Sequence, residues 1–169
     1  DLRHALDEQP RAIDLMVLLP SAYERSGSIE LADKQYADAI RASSFNVGVT
    51  LNYAAFLLRR NSVERAEDIL TQLAQQQPNN IAVLTSLADV KLARQNWAGA
   101  EEIAKTIKQI GNNERISDQI LAAALSGQGK YTDSIKLLEN VQTGAPGAAQ
   151  PLRALVGTMI RAKKLDEAV

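Results

Sequence analysis

The chain has 169 residues, enough for one domain with a continuous core, and no cysteine, which excludes disulfides, thiolate metal sites and a cysteine nucleophile. Its formal net charge of −1, from 19 basic and 20 acidic residues, gives no electrostatic reason to expect nucleic acid. Hydrophobic residues make up 46% but aromatics only 4%, so Ala, Leu, Ile and Val must do the packing, which suits closely approaching helices better than a strand-rich sandwich.

Taken in order, Leu2, Ala5 and Leu6 stand at i, i+3, i+4 spacing and predict the end of a helix stopped by Pro10. Met16, Leu19 and Tyr23 predict a second helix that turns at Gly27-Ser28, and Ile29, Ala32, Tyr36 and Ala39 predict its return. Pro20 falls inside that second helix and predicts a kink or a late start, since proline removes a donor and crowds the preceding turn. Tyr53, Ala54 and Leu57 predict the next helix, Asn61-Ser62 its turn, and Val63, Ala66, Leu70 and Leu73 the return before Pro78. The run from Leu51 to Leu58 is apolar nearly all round, which predicts a central position. Leu84, Leu87 and Ala88 open a further helix that turns at Gln95-Asn96 into Trp97, Ala100, Ile103, Ala104 and Ile107. After Gly111-Asn112-Asn113 come Leu121, Ala122 and Leu125, a turn at Gly129-Lys130, then Tyr131, Ser134, Leu138 and Val141. Gly144-Ala145-Pro146-Gly147 predicts a loop. Leu152, Leu155, Val156 and Met159 predict a last helix, with Leu165 and Ala168 starting its partner.

One pattern recurs with a spacing of 34 residues: a large side chain followed three positions later by a small one, at Ile29…Ala32, Val63…Ala66, Trp97…Ala100, Tyr131…Ser134 and Leu165…Ala168. Ala54, Ala88 and Ala122 repeat at the same spacing on the preceding helices. Antiparallel helices approach closely only where one offers a small side chain to the other, and the large neighbours fill the space beside the crossing. A helix–turn–helix repeat of this length resembles the tetratricopeptide family throughout the chain, with departures at Pro20, Lys91 and Val156. The resemblance implies an all-α fold, a right-handed α-solenoid of antiparallel helix pairs in one continuous domain. The expected parts are 1–12 as the end of a preceding repeat, repeats at 13–46, 47–80, 81–114 and 115–148, and a partial repeat at 149–169. Since the chain opens at Asp1 within a helical pattern, it reads as a fragment of a longer bacterial array, with cytoplasm and periplasm both open.

In the family, first helices line a concave groove that takes a partner's peptide or helical segment. Transferred to matching positions, the resemblance implies groove residues Arg25, Leu51, Asn52, Leu58, Arg59, Asp89, Leu92, Ile116 and Ile120, with Val17, Leu18, Ser21, Glu24, Ala55, Thr85, Ser86, Gln119, Ala123, Arg153, Ile160 and Arg161 beside them. Relatives that grip a carboxylate terminus use Lys, Arg and Asn there; only Asn52 fits, which disfavours that ligand. For the apolar positions, packing between neighbouring first helices is the competing reading. A structural spacer in a larger envelope or exopolysaccharide-assembly protein is the competing function, and self-association through the C-terminal end is also expected.

Other motifs carry less. Gly127-Gln128-Gly129-Lys130 lacks the earlier glycine and the following Ser or Thr of a phosphate loop, so it reads as a turn. His4 is the one histidine and has no ligand companions, and Glu101-Glu102 and Asp166-Glu167 splay around their helices instead of converging. Arg59-Arg60 reads as positive charge suited to a helix C-terminus. With no nucleophile–base constellation, the expectation is a non-enzymatic protein without cofactor or metal. No apolar run approaches the ~20 residues of a membrane-spanning helix, so membrane insertion is not expected.

Overall fold

The computed structural model describes residues 11–144 and 149–166, apart from the side chains of 11–13, 149–152 and 164–166. Among the described residues are nine helices and no strand: α1 (Arg11–Arg25), α2 (Ile29–Ala42), α3 (Val47–Arg59), α4 (Val63–Gln76), α5 (Ile81–Ala93), α6 (Trp97–Ile110), α7 (Glu114–Gly127), α8 (Tyr131–Gly144) and α9 (Ala149–Asp166). The helix end expected before Pro10, the loop through Pro146, and Ala168 lie outside the described residues. By its contacts the chain divides into two compact units, Asp1–Gln77 and Pro78–Val169.

Four hairpin turns are built alike. The residues at 27, 61, 95 and 129, spaced by 34, all take positive φ: Gly27 +81°, Asn61 +57°, Gln95 +59° and Gly129 +79°. In each, the next residue's N–H reaches back five positions: Ser28 to Tyr23 O, Ser62 to Leu57 O, Asn96 to Lys91 O and Lys130 to Leu125 O, each at 2.9 Å. This closure satisfies carbonyls that a helix end leaves orphaned, and it requires the left-handed residue. The returning helices accordingly start at Ile29, Val63, Trp97 and Tyr131, the large residues of the repeat pattern. Asn46, Asn80 and Asn96 cap helix starts, their side-chain oxygens accepting from the N–H of Val49, Val83 and Gly99.

In the first unit α1 pairs with α2 and α3 with α4, while α3 also meets α1 and α2. This central place of α3 follows from its nearly all-round apolar surface: Val49, Tyr53, Ala54, Phe56 and Leu57 are all buried. Ala32 and Ala66 are fully buried at the crossings. Tyr36, Tyr53 and Phe56 form a ring cluster, with centroids 5.2–6.1 Å apart. At Pro20 the outcome differs from the expected late start, because α1 is one helix from Arg11 to Arg25 with the proline inside. Pro20 and Met16 are both buried, so packing holds the helix across the one hydrogen bond the proline cannot make.

In the second unit α6 packs on α5 and α7, α8 on α7, and α9 on α8, while the first helices α5, α7 and α9 also touch in sequence. Ala88, Ala100 and Ala122 are fully buried. At the fourth crossing Ser134 replaces alanine; its buried hydroxyl donates to Ala122 O at 2.7 Å, and Ser117 likewise donates to Ala104 O at 2.8 Å. One expectation fails at the end of this unit. A turn was expected before Leu165, but α9 continues through to Asp166. The turn position holds Lys163-Lys164, good helix formers, where the four formed turns have Gly, Asn or Gln at positive φ.

Candidate functional site

Asp89, Leu92, Ile116 and Ile120, the members of the expected groove that belong to the second unit, lie around one cleft of about 200 Å³. Helix α5 contributes Thr85, Asp89 and Leu92, and α7 contributes Ile116, Gln119, Ile120 and Ala123. Leu138 of α8 and Ala154 of α9 complete it. The convergence follows from helical geometry. Positions 85, 89 and 92 share one face of α5, positions 116, 119, 120 and 123 share one face of α7, and α7 lies against both α5 and α9. None of the lining residues is basic.

The walls are not equally open. Leu92 and Ile116 are half-buried, Ala123 is exposed, and Ile120 is only 5% exposed. Ile120, expected in the groove, follows the competing reading for the apolar positions: its side chain is buried between the helices and only borders the cleft. Asp89 keeps surface open to solvent, yet the helix bodies around it remove enough water to push its carboxyl above the ordinary range. Burial is the cause, and no cation among the described residues pairs with that group. The Thr85 hydroxyl oxygen is buried without a hydrogen-bond partner among the described residues.

In the first unit the expected groove residues stand differently. Leu51, Asn52, Leu58 and Arg59 share one face of α3; the two leucines are half-buried and Asn52 is exposed. The Asn52 amide donates to Gly48 O at 2.8 Å within its own helix. Arg59 reaches α1, where its guanidinium donates to both carboxylate oxygens of Glu24, at 2.9 and 2.7 Å. That pairing holds the Glu24 carboxyl below its usual range and raises Arg59. Arg59 therefore fastens α3 to α1, beyond the helix-end charge it was expected to supply. Arg25 is exposed, with its Nε donating to Ser21 O at 3.4 Å.

One polar arrangement escaped the sequence reading. The buried Tyr53 hydroxyl donates to Asp33 Oδ1 at 2.7 Å, and Arg65 pairs with Asp33 at 3.0 Å while lying 5.9 Å from the Tyr53 ring centroid. Burial and the Asp33 carboxylate push the phenol well above its ordinary range. A signal existed: Tyr53 falls where Leu87 and Leu121 stand in the later repeats, and a hydroxyl at a core position needs a partner. The glycine–lysine segment forms only a turn, with Gly129 in the left-handed conformation behind a helix. Among the described residues no group of three or more His, Cys, Asp or Glu could hold a metal ion, and no helix is long and apolar enough to cross a membrane.

Antiparallel helix pairs joined by identical left-handed turns, with adjacent first helices bordering a cleft, define an all-α helical-repeat protein. The tetratricopeptide repeat family model matches residues 57–124, and the turns at Gly27 and Gly129 on either side of that stretch keep the same 34-residue frame. The chain is 25% identical over 168 residues to the type IV pilus assembly protein PilF of Pseudomonas aeruginosa, covering 98% of this chain and 66% of PilF. The chain thus spans just under two thirds of the length of that relative. Its fold is similar to a tetratricopeptide repeat protein from Parabacteroides merdae, with a TM-score of 0.79 and 17% identity over 99% of this chain and 67% of that one. It is also similar to MamA from Desulfovibrio magneticus, with a TM-score of 0.69 and 15% identity over 92% and 89% of the two chains.

Proposed function

We propose that this chain is a non-enzymatic scaffold that binds a peptide or helical segment of a partner protein along its first helices. The observation that carries this reading is the cleft between α5, α7 and α9, where apolar walls meet a carboxylate and a hydroxyl that no group among the described residues engages. A surface of this kind suits a segment that presents apolar side chains and fixes its direction through a polar edge. In the first unit Leu51, Leu58, Asn52 and Arg25 would serve the same role on α1 and α3. The repeats would run 13–46, 47–80, 81–114 and 115–148, with 149–169 partial.

Ala123→Trp tests the proposal, because Ala123 is exposed and lines the cleft, so an indole there obstructs binding without entering the core. Affinity capture with the whole chain should retain a partner that the variant loses. Equal capture by both moves binding to another surface, and no partner for either favours a spacer within a larger assembly. A second contact is supported on α9, where Val156, Met159 and Ile160 are 47%, 41% and 53% exposed, whereas Leu155 is packed. Such a patch invites pairing with another copy. Sedimentation over a concentration series, repeated with Ile160→Glu, should show an association that the variant removes.

A further inference from the structure

We propose that the cleft of the second unit holds one long basic side chain, lysine or arginine, of the bound segment, its aliphatic stem against Leu92 and Ile116 and its cationic head on the Asp89 carboxylate. This rests on the first-helix binding reading above.

Size speaks first. At about 200 Å³ the cleft falls below the roughly 300–1,000 Å³ of a small-molecule site, so it has room for a side chain and not for a whole ligand. Its chemistry narrows the choice. Apart from Thr85 and Gln119 the uncharged walls are apolar, no lining residue is basic, and the one charge is a carboxylate. Lysine and arginine are the side chains that combine a long apolar stem with a cationic tip.

Packing does not ask for Asp89. In the 34-residue frame its counterparts are Ala55 and Ala123, both exposed, so the repeat closes equally well with a methyl there. Burial partly dehydrates this carboxylate, and no counter-charge from the described residues pairs with it. A cation delivered from outside would find an acceptor already stripped of part of its water, the condition in which a charge-assisted hydrogen bond is strongest. The Thr85 hydroxyl, one helical turn before Asp89 on the same face and without a partner among the described residues, offers the segment a further polar contact.

The test is selection of a random twelve-residue peptide library, displayed on phage, against the whole chain and its Asp89→Asn, Ala123→Trp and Glu102→Gln variants. Glu102 is exposed on α6 and controls for loss of a surface charge. Peptides from the parent should share a Lys or Arg beside apolar residues. Replacing that residue by norleucine, which keeps the stem and drops the charge, should weaken binding about ten-fold, as should Asp89→Asn, with Glu102→Gln unchanged. Peptides lost on Ala123→Trp yet indifferent to norleucine and to Asp89→Asn would overturn the basic-side-chain assignment and leave the cleft as a binding site. Equal weakening by Glu102→Gln would overturn it as mere surface charge. A library in which no peptide responds to Ala123→Trp would overturn both readings.

Discussion

The indole of Trp97, at the start of α6, lies against the backbone of Gly127 at the end of α7, so close that a Cβ at position 127 would stand 2.5 Å from ring atoms Cη2 and Cζ3. One repeat's returning helix is thereby seated on the next repeat's first helix by a contact that only glycine permits. Gly127→Ala should destabilise the chain by about 1–2 kcal/mol. Overpacking costs about 1–3 kcal/mol, and the better helix propensity of alanine offsets less than about 1 kcal/mol of it. Thermal unfolding measures the loss, and a shift in Trp97 emission would show the ring displaced.

The turns make opposite predictions at two equivalent positions. Gln95 holds φ +59° with a side chain, a conformation that costs an L-residue roughly 1–2 kcal/mol, whereas Gly129 holds φ +79° freely. Gln95→Gly should gain up to about 1 kcal/mol after the extra unfolded-state freedom of glycine is deducted, and Gly129→Ala should lose about 1 kcal/mol. Denaturant midpoints with unchanged slopes would register both.

The frame of 34 residues was legible because sterics impose it: small residues at crossings and turn-formers at the left-handed positions leave few alternatives. The late start at Pro20 does not occur because tertiary packing outweighs a local breaker, and the turn at Lys163 is missing because a repeat frame extrapolates regularity where no turn residue stands. In the candidate site, face assignments could be read from spacing, which is why Asp89, Leu92, Ile116 and Ile120 meet at one cleft. Depth could not. Whether Ile120 is open, or Arg59 already engaged by Glu24, depends on neighbours 30 or more residues away, such as the α1 carboxylate 35 residues before Arg59.

Glu24 and Arg59 give a pH prediction. Hydrogen bonding from Arg59 lowers the folded-state pKa of Glu24, so the pair's stabilisation is complete above the unfolded-state value near 4.5 and is lost as pH falls through the lowered folded value. Arg59→Ala should cost at most about 1 kcal/mol at neutral pH, since the arginine side chain is 53% exposed. The cost should vanish in strong acid and shrink in high salt. An NMR titration of Glu24 should show its pKa rising in the variant.

Thr50 is fully buried on α3, and its hydroxyl has no hydrogen-bond partner among the described residues. Leaving such a group unpaired costs about 1–3 kcal/mol, and valine has nearly the same shape without the hydroxyl. Thr50→Val should therefore raise the melting temperature, by an amount equivalent to about 1 kcal/mol. A drop would mean that the hydroxyl has a partner.

The sequence contains a single tryptophan, and it is the ring seated on Gly127 in the second unit, while the stacked Tyr36, Tyr53 and Phe56 all belong to the first. The molecule thus carries one optical reporter with a single address and a second that both units share. Emission excited at the red edge of the tryptophan band follows residues 78–169 alone, whereas near-ultraviolet dichroism adds the ring cluster of residues 1–77 to the signals of Trp97 and Tyr131. Melting curves recorded in both channels on the unlabelled protein reveal directly whether the two units unfold together or one after the other.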